Sequence, residues 1–398
     1  MIDREVSAKV REYAAQYPVV TITGPRQSGK TTLCKMLFPD KPYVSLAAPE
    51  ERGFALQDPK GFLERFPAGV VIDEVQRVPV LLSYIQVLAD RLQQPGLYIL
   101  TGSQNLLLLD KIAQSLAGRT ALVTLLPFTL GEAYGKRPPA TLEELLYTGF
   151  YPRIFDRKLN PSEASSFYVS TYVERDLRQV LNVRDLGQFE VFLKLCAGRT
   201  GQLLNLSSLG NDAGISHNTA RLWLSILEAS YVIKLLRPYY RNLGKRLVKT
   251  PKLYFLDTGV AAFLLSITGK TQLESHPLKG GLFESWVVAE LLKRRFNRGQ
   301  NDNFYYFRDS KGLEVDVVLD FGQEIKQVEI KSGKTLNPEF FTPLRKLAAL
   351  HGGVRESYLV YGGSETFRRE GTRVVGWKDI ARLTANNNPD RAILDKHN

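Results

Sequence analysis

Eight consecutive residues, Gly24-Pro25-Arg26-Gln27-Ser28-Gly29-Lys30-Thr31, constrain this chain more than any other feature. They fit the pattern G-x-x-x-x-G-K-[ST]. Glycines at both ends let the backbone curl so that its N–H groups face a β-phosphate, the lysine reaches the β- and γ-oxygens, and the threonine hydroxyl coordinates Mg2+. The context agrees. Tyr17 to Thr23 reads as a buried strand and Lys30 to Phe38 as a helix, whose positive N-terminal end would face the phosphates. The expected ATP-binding set is Gly24, Pro25, Arg26, Gln27, Ser28, Gly29, Lys30, Thr31 and Thr32, with Lys30 also catalytic.

A partner motif follows. Gly69-Val70-Val71-Ile72-Asp73-Glu74 is an apolar strand ending in two carboxylates. Downstream of a phosphate loop, Asp73 is expected in the Mg2+ shell beside Thr31, and Glu74 is expected to orient or deprotonate the attacking water. A third apolar strand ends in Leu100-Thr101-Gly102-Ser103-Gln104-Asn105. Ligands of open α/β sheets sit at the carboxyl ends of strands, so a polar residue here can sense the γ-phosphate. Ser103 is favoured, with Thr101 or Asn105 as substitutes. Strands alternating with helices such as Val80 to Leu92 predict a parallel sheet covered on both faces.

The chain has 398 residues, enough for two to four domains. The Pro-rich stretch Gly135-Lys136-Arg137-Pro138-Pro139 and the aperiodic stretch Thr268 to Gly281 read as linkers. They suggest an ATPase domain at 1–135, a helical lid at 136–196, a winged-helix-like domain at 197–267 and an α/β domain at 280–398. Two distant cysteines, Cys34 and Cys196, exclude a disulfide framework and a cysteine-rich zinc site. The four histidines share no spacing that joins them. A charged N-terminus and the lack of a long apolar run predict a cytoplasmic protein.

At this point a resemblance becomes specific. The phosphate loop, Ile72-Asp73-Glu74-Val75-Gln76, Leu100-Thr101-Gly102-Ser103, Ala117-Gly118-Arg119 and Leu126-Pro127-Phe128 resemble the AAA+-related ATPases of the AAA_14 type, followed by a DUF4143 domain. Gly149-Phe150-Tyr151-Pro152-Arg153 and Tyr172-Val173-Glu174-Arg175-Asp176 resemble the same arrangement. The resemblance implies a homo-oligomer that hydrolyses ATP at subunit boundaries, where a neighbour's arginine stabilises the transition state. Arg119 is the first candidate, Arg153 and Arg175 the others.

Leu203 to Asp212, a Gly-Ile-Ser turn and Asn218 to Ser230 read as a helix-turn-helix, and the strands Val232 to Leu236 and Lys252 to Leu256 make the order that of a winged helix. Ser216 is placed to cap the second helix, leaving His217, Asn218, Thr219 and Arg221 at its exposed end. Lys234, Arg237, Arg241, Lys245, Arg246, Lys249 and Lys252 follow without an acidic residue, with Tyr239, Tyr240 and Tyr254 interleaved. With a formal net charge of +12, this predicts a DNA partner, branched or single-stranded forms included, through backbone neutralisation and base stacking.

Near the C-terminus, Glu314-Val315-Asp316 and Glu329-Ile330-Lys331 lie on neighbouring strands, with Glu284 on the preceding helix. Alternation puts Glu329 and Lys331 on one face. The set resembles the PD-(D/E)xK nuclease fold, which implies that Asp316, Glu329 and Glu284 bind Mg2+ and that Lys331 is catalytic, positioning or activating water. The bland alternative for an E-x-K strand is a cross-strand charge pair. The fold expected is therefore α/β: a P-loop AAA+-type parallel sheet with helical lid, winged helix and C-terminal nuclease-like domain. Two functions compete. One is an ATPase acting on DNA, with Mg2+-dependent cleavage as an added activity. The other is a nucleotide-controlled switch whose C-terminal domain binds a partner without cutting.

Overall fold

A computed structural model describes residues 2–102, 115–173, 186–240 and 250–383. After helix α1 (Ser7–Ala14) comes strand β1 (Val19–Thr23), and the phosphate loop leads into α2 (Lys30–Leu37). Then follow β2 (Tyr43–Ser45), α3 (Pro49–Gln57), α4 (Pro59–Glu64), β3 (Val70–Asp73), α5 (Leu81–Leu92), β4 (Tyr98–Thr101) and β5 (Thr120–Thr124). The five strands form one sheet in the order β2-β3-β4-β1-β5, and every pairing is parallel. Because successive side chains of a strand point to opposite faces, β1 feeds two cores. Val20 and Ile22 pack with Leu33, Cys34 and Leu37 of α2, whereas Val19 packs with Leu81, Leu82, Ile85 and Ala89 of α5. The sheet is thus covered on both faces, and the carboxyl ends of β1, β3 and β4 meet at one edge. That edge holds the phosphate loop, Asp73 and Thr101.

Short helices follow: α6 (Leu130–Tyr134), α7 (Leu142–Thr148), α8 (Pro152–Arg157), α9 (Pro161–Tyr168) and α10 (Leu186–Ala197). After β6 (Gln202–Leu203), the expected helix-turn-helix is present as α11 (Leu206–Asp212) and α12 (His217–Ala229). Asn205 and Ser216 cap the two helices through Ser208 N–H and Thr219 N–H, satisfying donors that would otherwise be orphaned. Strands β7 (Ile233–Pro238) and β8 (Lys252–Phe255) pair antiparallel. The chain continues through α13 (Thr258–Leu264), α14 (Lys279–Asn297), β9 (Phe304–Arg308), β10 (Glu314–Asp320), β11 (Ile325–Lys331), α15 (Thr342–Leu350), β12 (Val354–Tyr361), β13 (Phe367–Arg369) and β14 (Thr372–Gly376).

The two strands after the helix-turn-helix pair antiparallel, and β8 also pairs antiparallel with β6 before it, but these strands continue into a larger sheet. One nine-stranded sheet runs β13-β14-β12-β11-β10-β9-β7-β8-β6, joined in its middle by the parallel pair β7–β9. A large apolar cluster accompanies it, from Leu126 through Trp223 and Trp286 to Leu383, and two smaller ones, around Phe307 and Val318 and around Phe341 and Leu359, pack on the same sheet. At its centre lies α14, buried along most of its length and packed against β5 of the first sheet as well as β8 and β11 of the second. Full burial of rings such as Phe283 and Trp286 stabilises this joint by about 2–3 kcal/mol each. Among the described residues, no helix is long and apolar enough to cross a membrane. Both cysteines are buried and free.

Candidate nucleotide site and a second acidic site

The phosphate loop owes its shape to two glycines. Gly24 has φ +140° and sits so close to the Leu125 carbonyl that a Cβ would lie 2.1 Å from its oxygen. Gly29, at φ +95°, turns the chain into α2 in a conformation that side chains rarely adopt. Lys30 lies behind the loop, its ammonium donating to the carbonyls of Gly24 at 3.0 Å and Pro25 at 2.7 Å. Burial pulls its pKa down to about 8, although the charges of Glu74 and Asp73 oppose the shift. Thr31 Oγ1 donates to Asp73 Oδ2 at 2.9 Å. The loop, α2 and Glu74 border a cavity of about 670 Å3, which Arg26, Gln27 and Thr32 also line. Its apolar wall is Ile2, Met36, Phe128 and Pro152.

Asp73 carries more partners than its sequence context announces. Besides Thr31, it accepts from the Tyr43 hydroxyl at 2.7 Å, from the Thr101 hydroxyl and from the Glu74 N–H at 3.1 Å. Burial, together with the carboxylate it serves, raises the Tyr43 pKa. Glu74 stands in the left-handed region at φ +58°, an unusual place for a non-glycine. Its Oε2 accepts from the Gln76 side chain and lies 4.0 Å from Arg77 Nε.

Ser103 and Asn105 lie outside the described residues, as do Arg175 and the basic residues Arg241, Lys245, Arg246 and Lys249. Thr101, the substitute for Ser103, is bonded to Asp73. Arg153 lines the cavity of its own chain. Arg119 sits just before β5, where Val19 and Thr120 are paired, at the sheet end opposite the phosphate loop. There it grips Asp90, with Nη2 donating to Oδ2 at 2.9 Å.

The C-terminal residues come together around a lysine. Lys252 Nζ lies 3.5 Å from Asp316 Oδ1, 3.9 Å from Glu284 Oε2 and in direct contact with Glu314. This corrects its expected place on a solvent-facing basic wing: Lys252 is 3% exposed. Burial works against its charge, and Asp316, Glu284 and Glu314 together outweigh that, raising its pKa. Tyr239 and Tyr254 are likewise buried, at 2% and 0% exposure, and are closed to base stacking. Only Tyr240 of the three is open. Tyr254 instead donates to Glu284 Oε2 at 3.0 Å.

On the other side, Lys331 Nζ donates to Glu329 Oε1 at 2.6 Å and lies 3.6 Å from Asp316 Oδ2. The Ile330 N–H donates to the same Asp316 oxygen at 2.8 Å. Asp316, Glu329 and Lys331 open onto a cavity of about 800 Å3, which Glu284 does not line. Burial first, and then the Asp316 charge, push the carboxyls of Glu284 and Glu329 up to about 8. Among the described residues no three Asp, Glu, His or Cys side chains converge as a metal-binding group. Two carboxylates do suit a hard cation, however, because Glu329 Oε2 is buried without a hydrogen-bond partner.

Sequence reasoning missed Arg4, which borders the nucleotide cavity, and Tyr43, and it assigned Lys252 to the basic run rather than to the acidic cluster. Arg4 and Tyr43 reach the site across long sequence separations and lie in no motif. Lys252 did leave a trace, as the one charge opening an otherwise apolar strand, Lys252-Leu253-Tyr254-Phe255.

Three family models cover nearly the whole chain: an AAA domain, AAA_14, over residues 16–134, a domain of unknown function, DUF8612, over 139–271, and another, DUF4143, over 279–380. The uncharacterized protein Rv2008c of Mycobacterium tuberculosis is 30% identical over 376 residues, 94% of this chain and 82% of its own. The uncharacterized protein MJ1544 of Methanocaldococcus jannaschii is 25% identical over 281 residues, 65% and 59% of the two chains. Among solved structures, the Walker-type ATPase PABY2304 of Pyrococcus abyssi is similar with a TM-score of 0.46 and 17% identity, over 66% of this chain and 96% of that one.

Proposed function

Because this chain belongs to the family of the mycobacterial protein Rv2008c and joins an AAA_14 ATPase domain to DUF4143, we propose that it binds and hydrolyses Mg2+-ATP to act on DNA. The observation that carries the ATPase half is the hydrogen bond from Thr31, which lines the cavity, to Asp73. A Mg2+ ion held by Thr31 and Asp73 would neutralise charge on the β- and γ-phosphates. Lys30 binds those oxygens, and Glu74 holds or takes a proton of the attacking water. Arg119, from a neighbouring protomer of a homo-oligomer, stabilises the developing charge. The DNA half is supported by the exposed start of α12, where His217, Asn218 and Arg221 face solvent, and by the net charge of +12. The C-terminal cavity supplies Asp316 and Glu329 as cation ligands and Lys331 beside them, a set suited to phosphodiester cleavage.

One observation favours a second reading: Lys252 already brings a positive charge to Glu284, Glu314 and Asp316. In that reading nucleotide state controls partner binding, and the C-terminal domain does not cut. The experiment is ATP turnover in Mg2+ with single-stranded, branched and duplex DNA, reading strand integrity in the same tubes. DNA-stimulated turnover supports the first reading. Strand cleavage abolished by Asp316→Ala with Glu329→Ala supports its nuclease part. Turnover indifferent to every DNA, with intact strands, leaves the switch.

A further inference from the structure

A peptide unit is planar and trans, so its carbonyl and its N–H point in opposite directions. A loop that offers N–H groups to a phosphate must therefore turn carbonyls away from it, and buried carbonyls need donors. In this chain the Ser28 carbonyl receives one from Arg4, whose Nη1 lies 2.7 Å from it. The N–H of that same peptide unit belongs to Gly29, so it points away from Arg4.

Arg4 is 7% exposed, borders the same cavity, and gives one hydrogen bond from each of its three nitrogens to protein acceptors. Its Nη2 donates to the Leu126 carbonyl at 2.7 Å and its Nε to Glu132 Oε1 at 3.0 Å, and its guanidinium lies 4.9 Å from the Phe128 ring centre. Glu132 is fixed in turn by the N–H groups of Glu5 at 2.7 Å and Thr129 at 2.8 Å. The segment 126–132, which runs into α6, is also held by α14. Leu130 N–H donates to Glu290 Oε2 at 3.0 Å, and Lys293 Nζ to the Phe128 carbonyl at 2.9 Å. Arg294 Nε holds the other Glu290 oxygen at 2.8 Å.

We propose that Arg4 is a positioning residue for the polyphosphate of the nucleotide: it fixes the Ser28–Gly29 peptide so that the Gly29 N–H is aimed before the phosphate arrives, and α14 sets where Arg4 sits. The proposal rests on the nucleotide reading above and deepens it. A lysine at this position keeps the charge but cannot reproduce a planar three-acceptor fork.

The test is binding of a fluorescent ATP analogue to the full chain, with ADP and adenosine as competitors and steady-state turnover alongside. Arg4→Lys is expected to weaken ATP and ADP about tenfold, the scale of one lost charge-assisted hydrogen bond. Adenosine competition should stay unchanged, since adenosine has no phosphate, and KM should rise while kcat holds. Glu132→Gln keeps the shape with a weaker acceptor and is expected to move ATP affinity in the same direction by a smaller factor. It carries the test should Arg4→Lys fail to fold. Glu290→Gln with Arg4→Lys is expected to be non-additive. Unchanged ATP affinity in both Arg4→Lys and Glu132→Gln, or equal losses for adenosine and ATP, overturns the role of Arg4 and leaves the nucleotide site standing. No binding by the wild-type chain overturns both.

Discussion

Thr31 donates its hydroxyl hydrogen to Asp73 Oδ2 at 2.9 Å, and the Tyr43 hydroxyl donates to the same oxygen at 2.7 Å. One carboxylate oxygen is thus oriented from α2 and from the edge strand β2 together. Groups that orient a metal ligand in this way typically change metal affinity by about 10–100-fold when removed. Tyr43→Phe is expected to raise the Mg2+ concentration needed for half-maximal turnover by about tenfold. Nucleotide affinity without Mg2+ should hold. A Mg2+ titration of turnover checks this, and an unchanged midpoint would remove Tyr43 from the site.

Lys30 gives a pH signature. Its pKa in the free chain is about 8, and a bound polyphosphate favours the charged form and raises it. Above about pH 8 the free chain has lost the proton that the complex retains, so binding takes up a proton. ATP affinity is expected to fall with rising pH there, by up to about tenfold per unit until the bound value is passed. Calorimetry in buffers of different ionisation enthalpy reads the uptake directly. Equal apparent enthalpies in all buffers would contradict it.

Two arginines can be told apart by mixing. Arg153 lines its own chain's cavity, whereas Arg119 is tied to Asp90 at the far end of the sheet. Arg119→Ala is expected to cost about 1,000-fold in turnover, as loss of a trans-acting arginine does. Mixing it with Lys30→Ala protomers should recover part of the activity, because an intact site and an intact arginine can then meet. Arg153→Ala with Lys30→Ala should recover nothing. Recovery in the second mixture alone would reverse the assignment.

Lys252 is the buried counter-charge of the C-terminal cluster. Removing one partner of a buried pair typically costs about 3–5 kcal/mol, and Lys252→Met is expected to destabilise on that scale in urea denaturation. Adding Asp316→Asn should restore part of the loss, since fewer uncompensated charges remain. A divalent cation such as Mn2+ should raise the Tm of Lys252→Met more than that of the wild type. A single variant as stable as the wild type would show that the cluster tolerates its own charge.

What the sequence disclosed and what it hid divide along the length scale of the interactions. The phosphate loop, the capped helix-turn-helix and the hairpin of β10 and β11 are encoded by neighbours: glycines a few residues apart, Ser216 three before Thr219, alternation that brings Glu329 and Lys331 within 2.6 Å. Arg4 is different in kind. Its partners lie 24, 122 and 128 residues away, and nothing local marks an arginine near the N-terminus as a strut. Lys252 was read with the basic run around it because charge runs are usually solvated. Its burial depends on β8 lying between β6 and β7, a tertiary fact. The union of β7 with the C-terminal sheet stayed hidden for the same reason, since a parallel pairing of Arg237 with Tyr305 leaves no periodic trace.

That pairing bears on how such a protein can be inherited. The stretches matched as DUF8612 and DUF4143 end and begin at residues 271 and 279, yet β7 and β9 are neighbours in one sheet. A cut between them would expose a bare strand edge on each product, the kind of edge that recruits foreign strands. The two stretches are therefore not interchangeable parts. A lineage that replaced either one would have to replace the matching seam in the other, so they are expected to travel through evolution as a single heritable block.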